Sequence, residues 1–563
     1  MLTLKNIRKT YGIRRVLERV SFSLGEGQKA ALVGQNGVGK STLLRIIAGL
    51  ETADRGEIMK PNRVLLGYLP QETIAEGEET LRQYMRRIAG LSDLEREMEH
   101  LEQQLEQSDM LERYEAIQAE YQRLGGYGFE RKAKGLLEGL SLSHVGLDRK
   151  IAELSGGEKR KAALAGVLFR GVDVLLLDEP TNDLDISALL WLERYLARSA
   201  ATCLIASHDR RFMDSVVTKV VELDWYKREA SVYTGGWSDY AEMKSHSIRR
   251  QKELYRMQEE ERERISVSIE EKLEWARRVK EEKAPDNDKL TSNYKKERAA
   301  KKFTNSAKAL GGREKRLDTV EKPIEREPLV IPLTIGKTET ENAITLSKVC
   351  FGYPGGFSAG PIDMAVSFGE RVAILGDNGV GKSTLLKTIT GSIVPLSGTV
   401  TCGSAVRFGY LMQEHENVSQ AATPAELFKN RIETYDRDAT IMFLSHFRFS
   451  PDTVDDRIAS FSPGERVRLT LALLSASGAN VLVLDEPTNH LDLETIEALE
   501  EALETYEGTI LLVTHDRRFL EKMRLTGNFV LTDGALKPVE SYDAYAAAVM
   551  PSVERRLKRL EDR

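Results

Sequence analysis

The sequence predicts an α/β protein made of two tandem phosphate-binding domains joined by a long α-helical hairpin linker, and three observations carry that prediction. The stretch GQNGVGKS (Gly34 to Ser41) recurs as GDNGVGKS (Gly376 to Ser383). The residues around the two copies repeat in the same order. Between the copies, Ala241 to about Glu327 is almost free of strand signals and dense in Lys, Arg and Glu.

Each glycine stretch follows an apolar run (Ala30 to Val33; Arg371 to Leu375) and leads into a helical pattern (Leu43, Leu44, Ile46, Ile47; Leu385, Leu386). In a strand, glycine loop, helix context the glycines let backbone N–H groups wrap a phosphate chain, and the helix N-terminus adds positive potential. Gly34, Asn36, Gly37, Gly39 and Thr42, with Gly376, Asn378, Gly379, Gly381 and Thr384, are the candidate cradle. Lys40 and Lys382 would reach the outer phosphates, and the Ser41 and Ser383 hydroxyls would hold Mg²⁺.

The chain of 563 residues is long enough for three or four domains, and 41% apolar with 30% charged residues is ordinary for a protein that buries proper cores. A formal charge of −6 makes any nucleic-acid-binding surface a local matter. Cys203, Cys350 and Cys402 lack metal-ligand or disulfide spacing, so no structural metal is expected and a reducing compartment fits. No apolar run approaches the roughly 18 to 20 residues of a membrane helix, and MLTLKNIRKTYG has no signal-peptide layout. A cytoplasmic protein with no membrane contact is expected.

An offset of 342 residues pairs Lys40 with Lys382, Tyr11 with Tyr353 and Gln71 with Gln413; beyond them an offset of 307 pairs Ser155 with Ser462 and Asp178 with Asp485. The first copy therefore carries 35 extra residues between Gln71 and Ser155. They read as a helical pair, from Leu91, Leu94, Met98, Leu101 and Leu105, then Leu111, Tyr114, Ile117, Tyr121 and Leu124, with the turn at Ser108 and Asp109. The pair is either packed into the domain core or, as its Glu, Gln and Arg content favours, a projecting arm. The expected layout is residues 1–240 with an arm at about 84–125, a linker at 241–327, a second domain at 328–546 and a short charged tail at 547–563.

The linker reads as a helix from about Tyr240 to Lys283, a helix-breaking tip at Ala284 to Asn293, and a return helix from about Tyr294 toward Val320. From Asn293 to Arg316, nine basic residues face two acidic ones, a net +7, so the rest of the chain sums to −13. Most charge runs are solvated helix faces. One-signed charge with Tyr294 and Phe303 interleaved also suits a phosphate backbone or splayed bases.

Two apolar strands end in carboxylates, at Asp178 and Glu179 and at Asp485 and Glu486. Strand ends are where α/β proteins present such groups. Asp178 and Asp485 would hold Mg²⁺ through water, and Glu179 and Glu486 would polarise the water that attacks a γ-phosphorus. His208 and His515 each follow a further strand and read as γ-phosphate sensors. Gln71 and Gln413, after GYLPQ and GYLMQ, would touch Mg²⁺ or that water, and Tyr11 and Tyr353 are candidates to stack on adenine or are simply core.

LSGGE (Leu154 to Glu158) and FSPGE (Phe461 to Glu465) resemble the signature of ATP-binding cassette proteins, and the phosphate loop, glutamine loop, signature, DEP motif and histidine appear twice in order. Fused cassettes with a charged helical linker and an arm in the first copy resemble the ABC-F proteins, ATPases that act on ribosomes. The resemblance implies a head-to-tail sandwich within one monomer and two composite ATP sites. Site one would join Lys40, Ser41, Gln71, Asp178, Glu179 and His208 to Ser462 and Gly464. Site two would join Lys382, Ser383, Gln413, Asp485, Glu486 and His515 to Ser155, Gly156 and Gly157. Pro463 departs from the usual glycine and offers no N–H. The resemblance further implies binding at the ribosomal exit site, near rRNA and peptidyl-site tRNA, either for translation control or for protection from antibiotics, toward which the tip sequence and SPGE point. A membrane-transporter ATPase subunit and a DNA-repair ATPase remain rivals.

Overall fold

The computed structural model describes the chain except residues 1, 62–63, 72–77, 104–107, 282–288, 315–321, 323–328, 330, 334–341, 412–420, 432–435, 490 and 562–563. Gln413 and the first half of the expected linker tip (284–288) therefore lie outside the described residues, as do the side chains of Tyr294, Lys295 and Lys296. Two compact units result, one formed by Met1–Trp237 with Pro328–Arg563 and one by Ser238–Glu327.

Each cassette has two sheets. In the first, β1 (Leu2–Tyr11), β2 (Arg14–Leu24) and β4 (Arg55–Met59) pair antiparallel in the order β2-β1-β4. A six-stranded sheet runs β5 (Leu66–Leu69), β6 (Val174–Asp178), β7 (Thr202–Ala206), β3 (Lys29–Val33), β8 (Lys219–Leu223) and β9 (Ala230–Thr234). All of its pairings are parallel except β8 with β9. The second cassette repeats this with β10 (Asn342–Gly352), β11 (Ser358–Ser367) and β13 (Ser397–Cys402) in the small sheet. Its large sheet runs β14 (Phe408–Leu411), β15 (Val481–Asp485), β16 (Thr509–Val513), β12 (Arg371–Leu375), β17 (Gly527–Thr532) and β18 (Ala535–Val539).

Strands β6, β7, β15 and β16 are buried along their whole length, which is why they read as unbroken apolar runs rather than alternating ones. Leu43, Leu44 and Ile47 of the helix after the first glycine loop pack with Leu2, Leu4 and Ile7 of β1; Leu385, Leu386 and Ile389 pack likewise with Ile344, Leu346 and Val349. Parallel register then decides where the site lies. Asp178 aligns with Ala206, Leu32 with Ala206 and Leu69 with Leu177, so the glycine loop, the DE pair, His208 and Gln71 all leave one edge of the sheet.

The extra residues of the first cassette form helices Leu91–Glu102 and Ser108–Arg123. They are fastened to each other by Tyr121 Oη donating to Glu95 Oε1 (2.8 Å), Tyr114 Oη to Glu102 Oε1 (2.9 Å) and Arg113 Nε to Glu97 Oε1 (3.0 Å). Leu91, Leu101, Tyr121 and Leu124 are buried, while Leu94, Met98, Tyr114 and Ile117 are only half-buried, the pattern of a two-helix seam.

The second unit holds a 45-residue helix, Trp237–Glu281, on the order of 65 to 70 Å long, and a return helix, Lys289–Glu314. The return helix starts earlier than the sequence suggests: Lys289 to Asn293 are helical, since Ser, Thr and Asn each disfavour a helix by only a few tenths of a kcal/mol. Ala300 and Ala307 are buried, as are Gln258, Ile265 and Ala276 of the long helix. Phe303 stacks on Trp275 at 6.5 Å between centroids, so it serves the hairpin seam and is not a free platform for a base. Arg298, Lys301, Lys302 and Lys308 are exposed.

The segment expected as a charged tail is the second half of a helix, Tyr542–Glu561. Its Val553 and Leu557, four apart and buried, form an apolar edge that the abundance of Arg and Glu obscures in the sequence. It packs on helices Phe129–Gly139 and Ile186–Arg198 of the first cassette.

Candidate functional site: a composite nucleotide site

The glycine loops are shaped by backbone that only glycine adopts freely. Gly34 (φ 151°) and Gly376 (φ 146°) pass so close to the next strand that a Cβ would stand 2.8 Å from Leu223 O and 2.5 Å from Leu531 O. Lys40 and Lys382 fold back over their loops: Lys40 Nζ donates to Gly34 O at 2.6 Å, and Lys382 Nζ donates to Gly376 O and Asp377 O, each at 2.8 Å. Both ammonium groups are buried, which lowers their pKa, while the neighbouring carboxylates Glu179 and Glu486 oppose the shift.

Burial raises the Asp178 and Asp485 carboxyls, and the Ser41 and Ser383 hydroxyls beside them act in the opposite sense. Glu179 (φ 51°) and Glu486 (φ 50°) hold left-handed backbone that is strained for a side-chain-bearing residue. Their N–H groups donate to Ala206 O and Val513 O, each at 2.8 Å, and in the first cassette buried Arg160 donates to Glu179 O at 2.5 Å and Asp178 O at 3.2 Å. Burial pushes the Glu179 carboxyl up to about 7 and the Glu486 carboxyl up to about 8. His208 and His515 are held neutral, down to about 3, by burial and then by the adjacent lysine; their Nε2 atoms lie 3.0 Å from Glu179 Oε1 and 3.2 Å from Glu486 Oε1.

The cassettes face each other loop to signature. Ser155, Gly156 and Gly157 line a cavity of about 740 Å³ together with Asn378, Gly379, Gly381, Lys382, Ser383 and Thr384, and with Asp485, Glu486 and His515. Tyr353 lines it too, beside Phe357, a residue the sequence reading did not single out. Asn378 Nδ2 donates to Asp183 O at 2.7 Å, tying the phosphate loop to the turn after the opposing DEP motif. At site one the crossing is made by Gln35 Nε2 donating to Glu494 Oε2 at 3.2 Å. Ser462 caps the helix Pro463–Ala476 in a box with Glu465, as Ser155 does with Glu158. Pro463 occupies the first helical turn, where a missing N–H breaks no helix bond.

Not every expected residue converges. Tyr11 lies at the exposed end of β1 and gives its hydroxyl to Glu51. Gln71 is exposed, just past β5.

Sequence reasoning also missed two buried ion pairs across the interface: Arg210 with Glu500 (Nη1 to Oε2, 3.1 Å) and Arg517 with Glu193. The 307-residue offset maps one pair onto the other, and charges at matched positions inside apolar helices were the available signal.

Buried Oδ2 of Asp178, Oδ1 of Asp485, both carboxylate oxygens of Glu179 and Oε1 of Glu486 accept no hydrogen bond from described residues, while Glu486 Oε2 accepts from the His515 N–H at 3.3 Å. Such oxygens next to a serine hydroxyl and a lysine fit hydrated Mg²⁺ with a nucleotide triphosphate.

The family model described as ABC transporter matches twice, over residues 17–182 and 360–489. Bacillus subtilis YdiF is 33% identical over 535 residues, covering 93% of this chain and 79% of its own. Arabidopsis thaliana ABC transporter F family member 2 is 30% identical over 576 residues, covering 99% of this chain and 80% of its own. The fold matches the archaeal ribosome recycling factor aABCE1, solved in complex with the ribosomal stalk protein aP1, with a TM-score of 0.61 at 19% identity, over 97% of this chain and 92% of that one. No described helix is long and apolar enough to cross a membrane. The chain belongs to the F family of ATP-binding cassette proteins and is an Mg²⁺-dependent ATPase with two cassettes in one polypeptide.

Proposed function

We propose that this ATPase binds the ribosome with its cassettes closed on ATP, at the exit site, directs its helical hairpin toward peptidyl-site tRNA and the peptidyl-transferase centre, and is released by hydrolysis. The observation that carries the reading is the exposed basic row Arg298, Lys301, Lys302 and Lys308 on a hairpin whose other face is packed against its partner helix. A row of basic side chains along the return helix suits a phosphate backbone, and its affinity should fall steeply with salt. The aABCE1 fold, shared by a ribosome recycling factor, supports the same client.

In this reading Lys40 and Lys382 neutralise the outer phosphates, and Tyr353 stacks on adenine at site two. Mg²⁺, held through Ser41 and Asp178 and through Ser383 and Asp485, supplies charge neutralisation on the phosphate oxygens. Glu179 and Glu486, with pKa values near neutrality, suit the task of accepting a proton from water. Neutral His208 and His515 stand against those carboxylates and orient them. Closure favoured by ATP and lost on hydrolysis is a biased equilibrium, and it requires that the ribosome prefer the closed form.

The test is sedimentation of the Glu179→Gln/Glu486→Gln protein with ATP. Co-migration with ribosomes supports the reading, and free migration overturns it. Reversing Lys301, Lys302 and Lys308 to Glu should release the trapped protein from ribosomes while sparing its ATPase in the parent background. A drug-susceptibility panel in cells then separates antibiotic protection from general translation control.

A further inference from the structure

The two composite sites are braced by different residues at matched positions. The repeat offsets pair Ser187 with Glu494, Ser141 with Arg448, and Asp377 with Gln35. At site one the bracing is direct: Glu494, second residue of the helix Leu493–Thr505, accepts from Gln35 of the opposing phosphate loop and from Arg448. Site two cannot copy this. Its phosphate loop carries the acceptor Asp377, and Ser187 is too short and uncharged to reach across as Glu494 does.

Another element takes over there. Arg556, on the helix Tyr542–Glu561, donates through Nη1 to Ser187 Oγ at 3.0 Å and to Glu138 O at 3.3 Å. Arg556 and Tyr545 of the same helix both act electrostatically on Asp377. The helix is pinned to the first cassette by Arg198 donating to Glu554 Oε2 (2.6 Å) and Glu561 Oε1 (3.0 Å), and by Arg559 donating to Glu138 Oε1 (2.9 Å). Ser187 stands two residues beyond Asp185, whose carboxylate caps that helix through Ala188 N (2.8 Å), pairs with Lys161 (3.3 Å) and lies 3.5 Å from the Asn378 amide. The chain thus runs from Arg556 through Ser187 and Asp185 to the phosphate loop of site two. In the first cassette the helix that follows the last strand is instead Trp237–Glu281, the start of the hairpin.

We propose that Arg556 is a positioning residue for ATP turnover at site two alone, holding Ser187 and the Asp185 turn in register with Asn378 of the opposing loop. The proposal rests on the ATPase activity and needs no ribosome, so its failure leaves the ribosomal reading standing, and the reverse.

The test uses the full chain with Mg²⁺-ATP. Turnover is measured in a Glu179→Gln background, which reports site two, and in a Glu486→Gln background, which reports site one. Labelling by 8-azido-ATP, mapped separately to each phosphate loop, reads the same selectivity where a single Gln variant proves inactive. Arg556→Ala should raise the KM for ATP, or the half-saturation of labelling, by about tenfold at site two, the size expected when a link between sites is loosened, and by less than about twofold at site one. Arg556→Lys should restore most of the loss, since an ammonium still reaches one acceptor. If Arg556→Ala weakens folding, Ser187→Ala removes the acceptor instead and should reproduce the selective rise. Equal losses at both sites, or an unchanged site two, overturn the proposal.

Discussion

Removing Arg517 should open the sandwich, and removing Glu193 with it should largely close it again. The Arg517 side chain is 5% exposed and its partner Glu193 10% exposed, and burial already raises the Glu193 carboxyl above its usual range. Arg517→Met strands that carboxylate and also removes the cation 3.7 Å from Asp209, which faces Asp516. Breaking one side of a buried pair costs about 3 to 5 kcal/mol, whereas replacing both sides by apolar groups is often neutral. The closure equilibrium should therefore fall by roughly 10² to 10⁴ in Arg517→Met and recover to within about tenfold of the parent in Arg517→Met/Glu193→Leu. The symmetric lesion should be milder: after Arg210→Met, Glu500 keeps Lys522 Nζ at 2.7 Å, so the expected loss is about 1 to 3 kcal/mol. The assay is energy transfer between dyes on exposed Ile13 and Val394, both replaced by Cys in a protein without Cys402, with ATP added to the Glu179→Gln/Glu486→Gln background. An Arg517→Met protein that closes like its parent, or a double variant as open as the single, would refute the reasoning.

Other outcomes follow from the same geometry. Glu179→Gln with Glu486→Gln should lower turnover by roughly 10² to 10⁴, measured as phosphate release. The same pair carries a pH signature in the protein without nucleotide. Native carboxyls at about 7 and about 8, against an ordinary 4.5, contribute stability that is whole below 4.5 and lost as pH rises through 7 to 8. The Gln variant should therefore melt above the parent at pH 8.5, with the gap shrinking by pH 5.5. Gly376→Ala, whose Cβ would meet Leu531 O at 2.5 Å, should lower ATP labelling of the second loop while leaving the first loop's labelling intact. Trp275→Ala with Phe303→Ala should remove the hairpin's aromatic stack, lower its helical content by circular dichroism, and weaken ribosome co-sedimentation without slowing ATP hydrolysis.

Most of the fold could be read from residue order, because the motifs sit where α/β topology must place them. Apolar runs ending in Asp178 and Asp485, a glycine loop and a trailing His can be brought together only by a parallel sheet with a common edge. The ordering of the small sheets was not legible, since register shifts break the alternation of β1 and β2 and β4 is short and mostly exposed. The helical character of the hairpin was legible and the place of its aromatic was not: Phe303 looked available because a single helix face was considered without the partner helix that brings Trp275 against it. The helix Tyr542–Glu561 was missed because two buried side chains among many charges give a weak periodic signal. Tyr353 lines the cavity at site two, while its repeat partner Tyr11, on the side of site one, gives its hydroxyl to Glu51, a local partner that repeat alignment alone cannot show.

The crosswise ion pairs also make each half of the molecule self-complementary. A lone second cassette carries both a donor, Arg517, and an acceptor, Glu500, at the positions that meet across the pseudo-two-fold axis. Two identical copies could therefore dock with true two-fold symmetry, each supplying what the other lacks. Covalent fusion in one chain removes that ambiguity by raising the local concentration of the correct partner above that of any free copy.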